Sequence, residues 1–321
     1  MKRVTHLMMM MLLWFGWTSC AVAAESEPLN QDQQIEYLVD KFSTGKYSRN
    51  GADSCLACHG EDKKRDATGL FEGAHGSLTH PGAPMQDLQC ESCHGPRGIH
   101  PKNVTIAGAK YRDPMLTFDP TSPLTSEQKD GVCLGCHDDQ HRKGWEASVH
   151  QAEEIACVDC HQIHTGNDPM LVKESLNQAC TDCHIDVKKD LHKRSRHPLR
   201  EGAQQCIDCH TPHSSDNPSS LTRFTLNETC FDCHAEKRGP FLWEHQPVSE
   251  DCALCHAPHG SNNPALLEQR MPQLCQNCHT SAHAGGAITG PDNARVGGKS
   301  CLNCHNVIHG SNHPSGKALQ R

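Results

Sequence analysis

The chain has 321 residues, of which 36% are hydrophobic and 4% aromatic, with a mean hydropathy of −0.64. That is little apolar side chain for an ordinary core of this size, so the interior needs material from elsewhere. A formal net charge of −8 excludes nucleic acid as a partner, because phosphate binding calls for a basic surface.

In chain order, Met1-Lys2-Arg3 is a short basic segment, Leu7 to Trp17 is apolar, and Ala21-Val22-Ala23-Ala24 offers small residues for cleavage before Glu25. This pattern predicts a secretory signal peptide over residues 1–24, cut after Ala24 or the adjacent Ala23. A retained N-terminal anchor and a lipoprotein built on Cys20 are the alternatives; Trp17-Thr18-Ser19 departs from the Leu-led box that precedes a lipidated cysteine. Without Lys2 and Arg3 the mature chain carries 28 basic against 38 acidic side chains, a net charge of −10. No later segment reaches about 18 apolar residues, so no transmembrane helix is expected after the leader.

Gln31 to Phe42 predicts a helix leading to a turn at Gly45. A five-residue motif, Cys-x-x-Cys-His, then recurs ten times. The copies are Cys55–Cys58–His59, Cys90–Cys93–His94, Cys133–Cys136–His137, Cys157–Cys160–His161, Cys180–Cys183–His184, Cys206–Cys209–His210, Cys230–Cys233–His234, Cys252–Cys255–His256, Cys275–Cys278–His279 and Cys301–Cys304–His305. Short helices ending near Pro169, Pro198, Pro218 and Pro264 are expected to carry them. Pro101 to Lys129, with Pro114, Pro120 and Pro123, reads as a long surface loop, and Gly-rich Ala284 to Lys299 as a second. No strand pattern stands out.

A lone Cys-x-x-Cys is weak evidence, since it fits a zinc half-site, a redox dithiol or a disulfide. Here His follows every pair although His is 25 of 321 residues, and 20 of the 21 Cys fall in the motifs. That combination is the attachment signature of c-type haem. Two thiols add to the porphyrin vinyl groups, and the adjacent His becomes the proximal iron ligand. Ten porphyrins supply the missing apolar core. The expected fold is a multihaem cytochrome c over residues 25–321, mostly irregular, with short α-helices wrapped around a chain of ten haems and little or no β-structure.

Alternate motifs begin at Cys157, Cys206, Cys252 and Cys301, and the intervening set at Cys133, Cys180, Cys230 and Cys275. This is a two-haem repeat of just under fifty residues. Each repeat carries two His outside the motifs, one upstream of the first motif and one just after it. They are His75 and His100, His150 and His164, His197 and His213, His245 and His259, and His283 and His309. Ten such His for ten irons predict bis-His ligation throughout. His80, His141, His192 and His313 fall outside the register and read as solvated. Met85, Met115, Met170 and Met271 are too few to serve ten irons and read as packing.

Other stretches carry a resemblance. They are Lys46-Tyr47 through Gly51-Ala52-Asp53-Ser54-Cys55, His234-Ala235-Glu236-Lys237-Arg238-Gly239-Pro240 with Leu242-Trp243-Glu244-His245, and Ser300 to His305 with His309 to Lys317. Through them the chain resembles the periplasmic decahaem cytochromes of the Mtr/DmsE type. The resemblance implies a haem wire sheathed by an outer-membrane β-barrel porin. Electrons would enter from a periplasmic or quinol-linked cytochrome and leave to an outer-surface multihaem cytochrome or terminal reductase. The residues alone imply an exported ten-haem electron carrier. A reductase of nitrite, hydroxylamine or a sulfur oxyanion is one alternative, a soluble periplasmic shuttle another. The reductase needs an iron with an open position; the count of twenty His for ten irons leaves none.

Overall fold

The computed structural model describes residues 29–138, 144–213, 217–280, 299–314 and 316–319. The expected leader with Cys20, the candidate ligand His283, His141 and nearly all of the Gly-rich loop lie outside these residues.

The first element, α1 (Gln31–Thr44), forms where the sequence predicts a helix. Asn30 caps it by accepting from the Gln33 N–H, and the Gln33 side chain returns a bond to the Asn30 N–H. Gly45 ends it in extended backbone. Beside buried Leu38, the helix docks through a buried polar cluster. Lys41 Nζ lies 2.7 Å from Asp113 Oδ1, with the two residues 7% and 1% exposed. Tyr37 Oη and the Ile99 N–H also donate to the Asp113 carboxylate, at 2.9 Å each. Burial, followed by the carboxylate it bonds, pushes the Tyr37 phenol up to about 12.

The motifs fall into two local conformations. Among the second motifs of the repeats, Cys133 sits in α4 (Ser126–Leu134), Cys180 in α7 (Lys173–Thr181), Cys230 in α9 (Leu226–Phe231) and Cys275 in α11 (Gln273–Gln276). Capping boxes start α4 at Thr125 with Gln128 and α9 at Thr225 with Glu228. Most of the first motifs form single 3-10 turns, at Cys206–Asp208, Cys252–Leu254 and Cys301–Asn303. Helices α2 (Asp53–His59), α3 (Glu91–His94) and α6 (Cys157–Cys160) carry the remaining motifs, while α5 (Val149–Ala152), α8 (Ile185–Asp190) and α10 (Gln246–Glu250) lie between motifs. Pro218 and Pro264 do not end helices as expected. They open short 3-10 turns, where fixed φ and a missing N–H cost nothing.

One polar residue, three positions before the second motif, ties three of the four second motifs to the next first motif. Asn177 Oδ1 accepts from the Cys206 N–H at 2.9 Å, Asn227 Oδ1 from Cys252 at 2.8 Å and Asp130 Oδ1 from Cys157 at 2.7 Å. The Asn227 amide also donates to the Val248 and Ser249 carbonyls. Asn227→Ala therefore leaves the half-buried Cys252 N–H without its acceptor, at a cost of about 1–3 kcal/mol. Thermal unfolding should show the loss, and Asn227→Asp, which keeps the acceptor, should lose less. An Ala variant that unfolds with the parent would remove this tie from the account.

Successive repeats also pair backbone to backbone. Ser195 and Ser261 exchange two bonds of 2.8 Å, and Trp243 and Ser311, in the same register one repeat later, exchange two of 2.9 Å. The predicted loop after Pro101 contains a hairpin that sequence reading did not find, β1 (Asn103–Ile106) against antiparallel β2 (Ala109–Arg112). The middle of the loop is not at the surface either, since Asp113 and Leu116 are buried. Among the described residues this is the one sheet, so the expectation of little β-structure stands. Buried apolar residues are scattered, with one small cluster of Ala52, Leu70 and Met85. Among the described residues these apolar side chains do not join into one continuous core, as expected where porphyrin fills the interior.

Candidate haem-binding site

In each of nine motifs the His N–H bonds the carbonyl of the first Cys four residues earlier, from 2.8 Å at His161 to 3.1 Å at His94. His59 completes the last turn of α2 in the same way. Five residues thus close one helical turn, which sets both thiols and the imidazole around one short axis. The x-x spacing is the number of residues that turn requires.

The thiols run in sequence order. Cys55 and Cys90 are neighbours, as are Cys133 and Cys157, Cys180 and Cys206, Cys230 and Cys252, and Cys275 and Cys301. Between these couples, Cys93 feels the charges of Cys133 and Cys136, Cys160 those of Cys180 and Cys183, Cys209 that of Cys233, and Cys255 that of Cys278. The ten motifs form one unbroken file. Within the first couple, the hydrogen bond from Cys90 lowers the Cys55 thiol to about 6, while Cys90 itself is pushed up. Cys252 is lowered to about 7 by Cys230 in the same manner.

Each motif His needs a partner ring on the opposite side. Among the described residues eight such couples occur, with ring centroids 5.7 to 6.4 Å apart. Four join the second motif of a repeat to its own upstream His. These are His137 with His75, His184 with His150, His234 with His197, and His279 with His245. Four join a first motif to the His just after the first motif of the next repeat. These are His94 with His164, His161 with His213, His210 with His259, and His256 with His309. In the His75–His137 couple the two Nε2 atoms face each other at 3.5 Å.

The outer nitrogens are held as well. Nδ1 donates to a backbone carbonyl in His59 (Arg65), His94 (Leu116), His100 (Asp113), His150 (Pro212), His197 (Pro258), His210 (Ser219), His256 (Ala265) and His305 (Ala318), at 2.6 to 3.1 Å. A carbonyl can only accept, so the proton sits on Nδ1 and the Nε2 lone pair is left to bind a metal. Burial pushes His75, His94, His164, His245, His259 and His309 below their ordinary value, which keeps them neutral. These residues fit haem iron. Two imidazoles bound to one metal at about 2 Å place their ring centres about 6 Å apart, the spacing seen in the couples.

The remaining predicted residues sort simply. His59 and His100 are both held through Nδ1, and His305 is held by Ala318, while its expected partner His283 is outside the described residues. His309, not the exposed His313, faces a motif ring. His80 and His192 are exposed, as the register requires of non-ligands. Met85 is buried in the small cluster with Leu70. Sequence reading missed the residues that hold the site, Asp168 and the row Asp130, Asn177 and Asn227. Their signal was present, as polar side chains at one fixed offset in the repeat.

Comparison with known proteins agrees with this geometry. The doubled CXXCH motif family matches residues 197–239 and 245–284, the NrfB-like cytochrome c-type family residues 90–183, and the cytochrome c554 and c-prime family residues 15–95. The multiheme cytochrome MtrA of Shewanella baltica (strain OS185) is 50% identical over 311 residues, covering 94% of this chain and 91% of its own. The cytochrome c-type protein NrfB of Escherichia coli O6:H1 (strain CFT073) is 31% identical over 145 residues, 44% of this chain and 69% of its own. With ten haem-attachment turns in one file and imidazoles facing across them, the chain belongs to the MtrA-type multihaem c cytochromes, electron-transfer proteins rather than enzymes.

Proposed function

We propose that this chain is an exported ten-haem wire, with His ligands on both faces of every iron, working in the periplasm inside a porin sheath. When bound, the haems supply one-electron ferric/ferrous exchange. The polypeptide supplies attachment, axial imidazoles and spacing. The single observation that carries the reading is the order of the thiols, each motif's cysteines lying near enough to act electrostatically on those of the next. Adjacent attachment sites keep consecutive macrocycles close, so electrons need no diffusing intermediary.

In this reading the eight His couples are eight axial pairs. The register extends to His59 with His100, because His100 follows the next first motif as His164 and His213 do. His305 then takes His283, the upstream His of a repeat without a second haem. Oxidised protein should give only low-spin ferric signals in electron paramagnetic resonance, and a substantial high-spin population would restore the reductase reading.

Sequence features support export and sheathing: the leader over residues 1–24 and the likeness to the porin–cytochrome family. Among the described residues no helix is long and apolar enough to cross a membrane. A wire that crosses one without such a helix needs its polar backbone covered by a partner. The Cys55 end would face the periplasmic donor, and the Cys301 end the outer-surface cytochrome or terminal reductase. The test is co-purification with a barrel from outer membrane in mild detergent, then electron transfer to a dye trapped in liposomes. Recovery only in the soluble fraction, with no transfer in liposomes holding both proteins, replaces the conduit by a soluble shuttle.

A further inference from the structure

We propose that Asp168, supported by Asp130, lowers the potential of the haem carried by Cys157 and Cys160 below those carried by Cys206 and by Cys252. The proposal rests on the axial-ligand reading above.

The three first motifs are directly comparable because the repeat aligns their surroundings. His161, His210 and His256 are each followed at the same offset by a polar residue before proline: Asp168-Pro169, Asn217-Pro218 and Asn263-Pro264. In the two Asn copies the side-chain amide donates to the carbonyl four residues on, Leu221 or Leu267, at 3.0 Å. The backbone then turns left-handed after proline, with φ of 54° at Ser219 and 53° at Ala265. That turn aims the Ser219 and Ala265 carbonyls at the ring Nδ1, at 2.9 and 2.8 Å.

A carboxylate has no N–H to give, so Asp168 cannot make the amide's bond. Its Oδ1 instead accepts from the Met170 N–H at 3.0 Å, and its Oδ2 accepts from His161 Nδ1 at 2.6 Å. The residue is 8% exposed, so water screens this contact little. Thus His161 donates to a charge where His210 and His256 donate to neutral carbonyls.

The second position differs in the same sense. Asn177 and Asn227 bind the N–H of Cys206 and Cys252, but Asp130 binds that of Cys157. Asp130 is 2% exposed, and its second oxygen accepts from Trp145 Nε1 at 2.7 Å, where the Asn177 and Asn227 amides instead donate to backbone carbonyls. One haem site therefore carries carboxylates at both positions where its counterparts carry amides.

A carboxylate on the outer nitrogen makes the imidazole a stronger donor to the metal, and nearby negative charge opposes the arrival of an electron. Both favour the ferric state. The equilibrium is a plain one-electron reduction: no bond breaks, and the Nδ1 proton stays shared between His161 and Asp168.

The test is a potentiometric titration of the ten-haem protein followed by visible absorption and electron paramagnetic resonance. In Asp168→Asn one component should move upward by roughly tenfold in its equilibrium constant, which is 59 mV for one electron. The g-anisotropy of that low-spin ferric signal should change with it, as the ring loses anionic character. Asp168→Glu, which retains the charge, should keep the low component, and Asp130→Asn should move the same component upward by less. If all ten haems remain low-spin and neither Asn variant shifts any component, the tuning proposal is wrong while the ligand assignment stands. If the parent's ferric spectrum is high-spin at a haem, the ligand assignment itself fails. Should Asp168→Asn lose haem, as counted by pyridine haemochrome, the Asp130→Asn titration decides.

Discussion

His213→Ala is expected to produce one high-spin haem in ten. The His213 ring lies 6.2 Å from that of His161, stacked at 24°. On the proposed axial pairing, removing it takes one axial nitrogen from the iron held by Cys157 and Cys160, while thioether attachment and His161 stay in place. His213 belongs to the repeat after that haem, so a change near Cys206 is expected to be read at Cys157. The ferrous variant should bind about one carbon monoxide per ten haems, against none in the parent, because a vacant position on haem iron is open to small ligands. Replacing exposed His192 or His313 should leave the spectrum at the parent's. Carbon monoxide stoichiometry and the high-spin ferric signal measure the effect together. If His213→Ala remains fully low-spin, the coupling of each first motif to the following repeat is wrong.

The largest stability effect is expected at the other end of the protein. Asp113 is 1% exposed and takes three donors, from Lys41, Tyr37 and Ile99. Lys41→Met leaves that carboxylate buried without its cation, which costs about 3–5 kcal/mol for a pair of this kind. The Asp113 backbone carbonyl also receives His100 Nδ1 at 2.8 Å, so the disturbance should reach a candidate ligand. Hydrogen exchange should show α1 losing protection first, followed by a high-spin signal at the Cys55 haem. The double variant Lys41→Met, Asp113→Asn should recover much of the loss, since no unpaired charge remains. If α1 in Lys41→Met exchanges at the parent's rate, the salt bridge does not hold the helix.

The one unforeseen sheet illustrates a limit of pattern reading. Its two-residue turn is Ala107-Gly108, with φ of 47° and 83°. Both values suit a hairpin turn of the kind that Asn-Gly usually announces, and alanine at the first position hides it. The strands are four residues each, too short for alternation to stand out.

By itself the sequence determined the cofactor, its number and the class of fold. Covalent attachment requires fixed residues at fixed spacing, so chemistry is written locally, and the scarcity of apolar residues already implied a core made of porphyrin. It also determined helix α1, through Asn30, Gln33 and Gly45, and the number of His available as second ligands. Only the tertiary structure decided which ring faces which. His164, His213, His259 and His309 each reach back to the first motif of the preceding repeat, whereas His75, His150, His197 and His245 serve their own. Those couplings join residues well apart in sequence and depend on how one repeat packs on the next, through ties such as Asn177 to Cys206 and Ser195 to Ser261. The role of Asp168 was hidden for the same reason. An Asp among Asn residues is a small change in sequence, and its meaning appears only when its carboxylate is found 2.6 Å from His161.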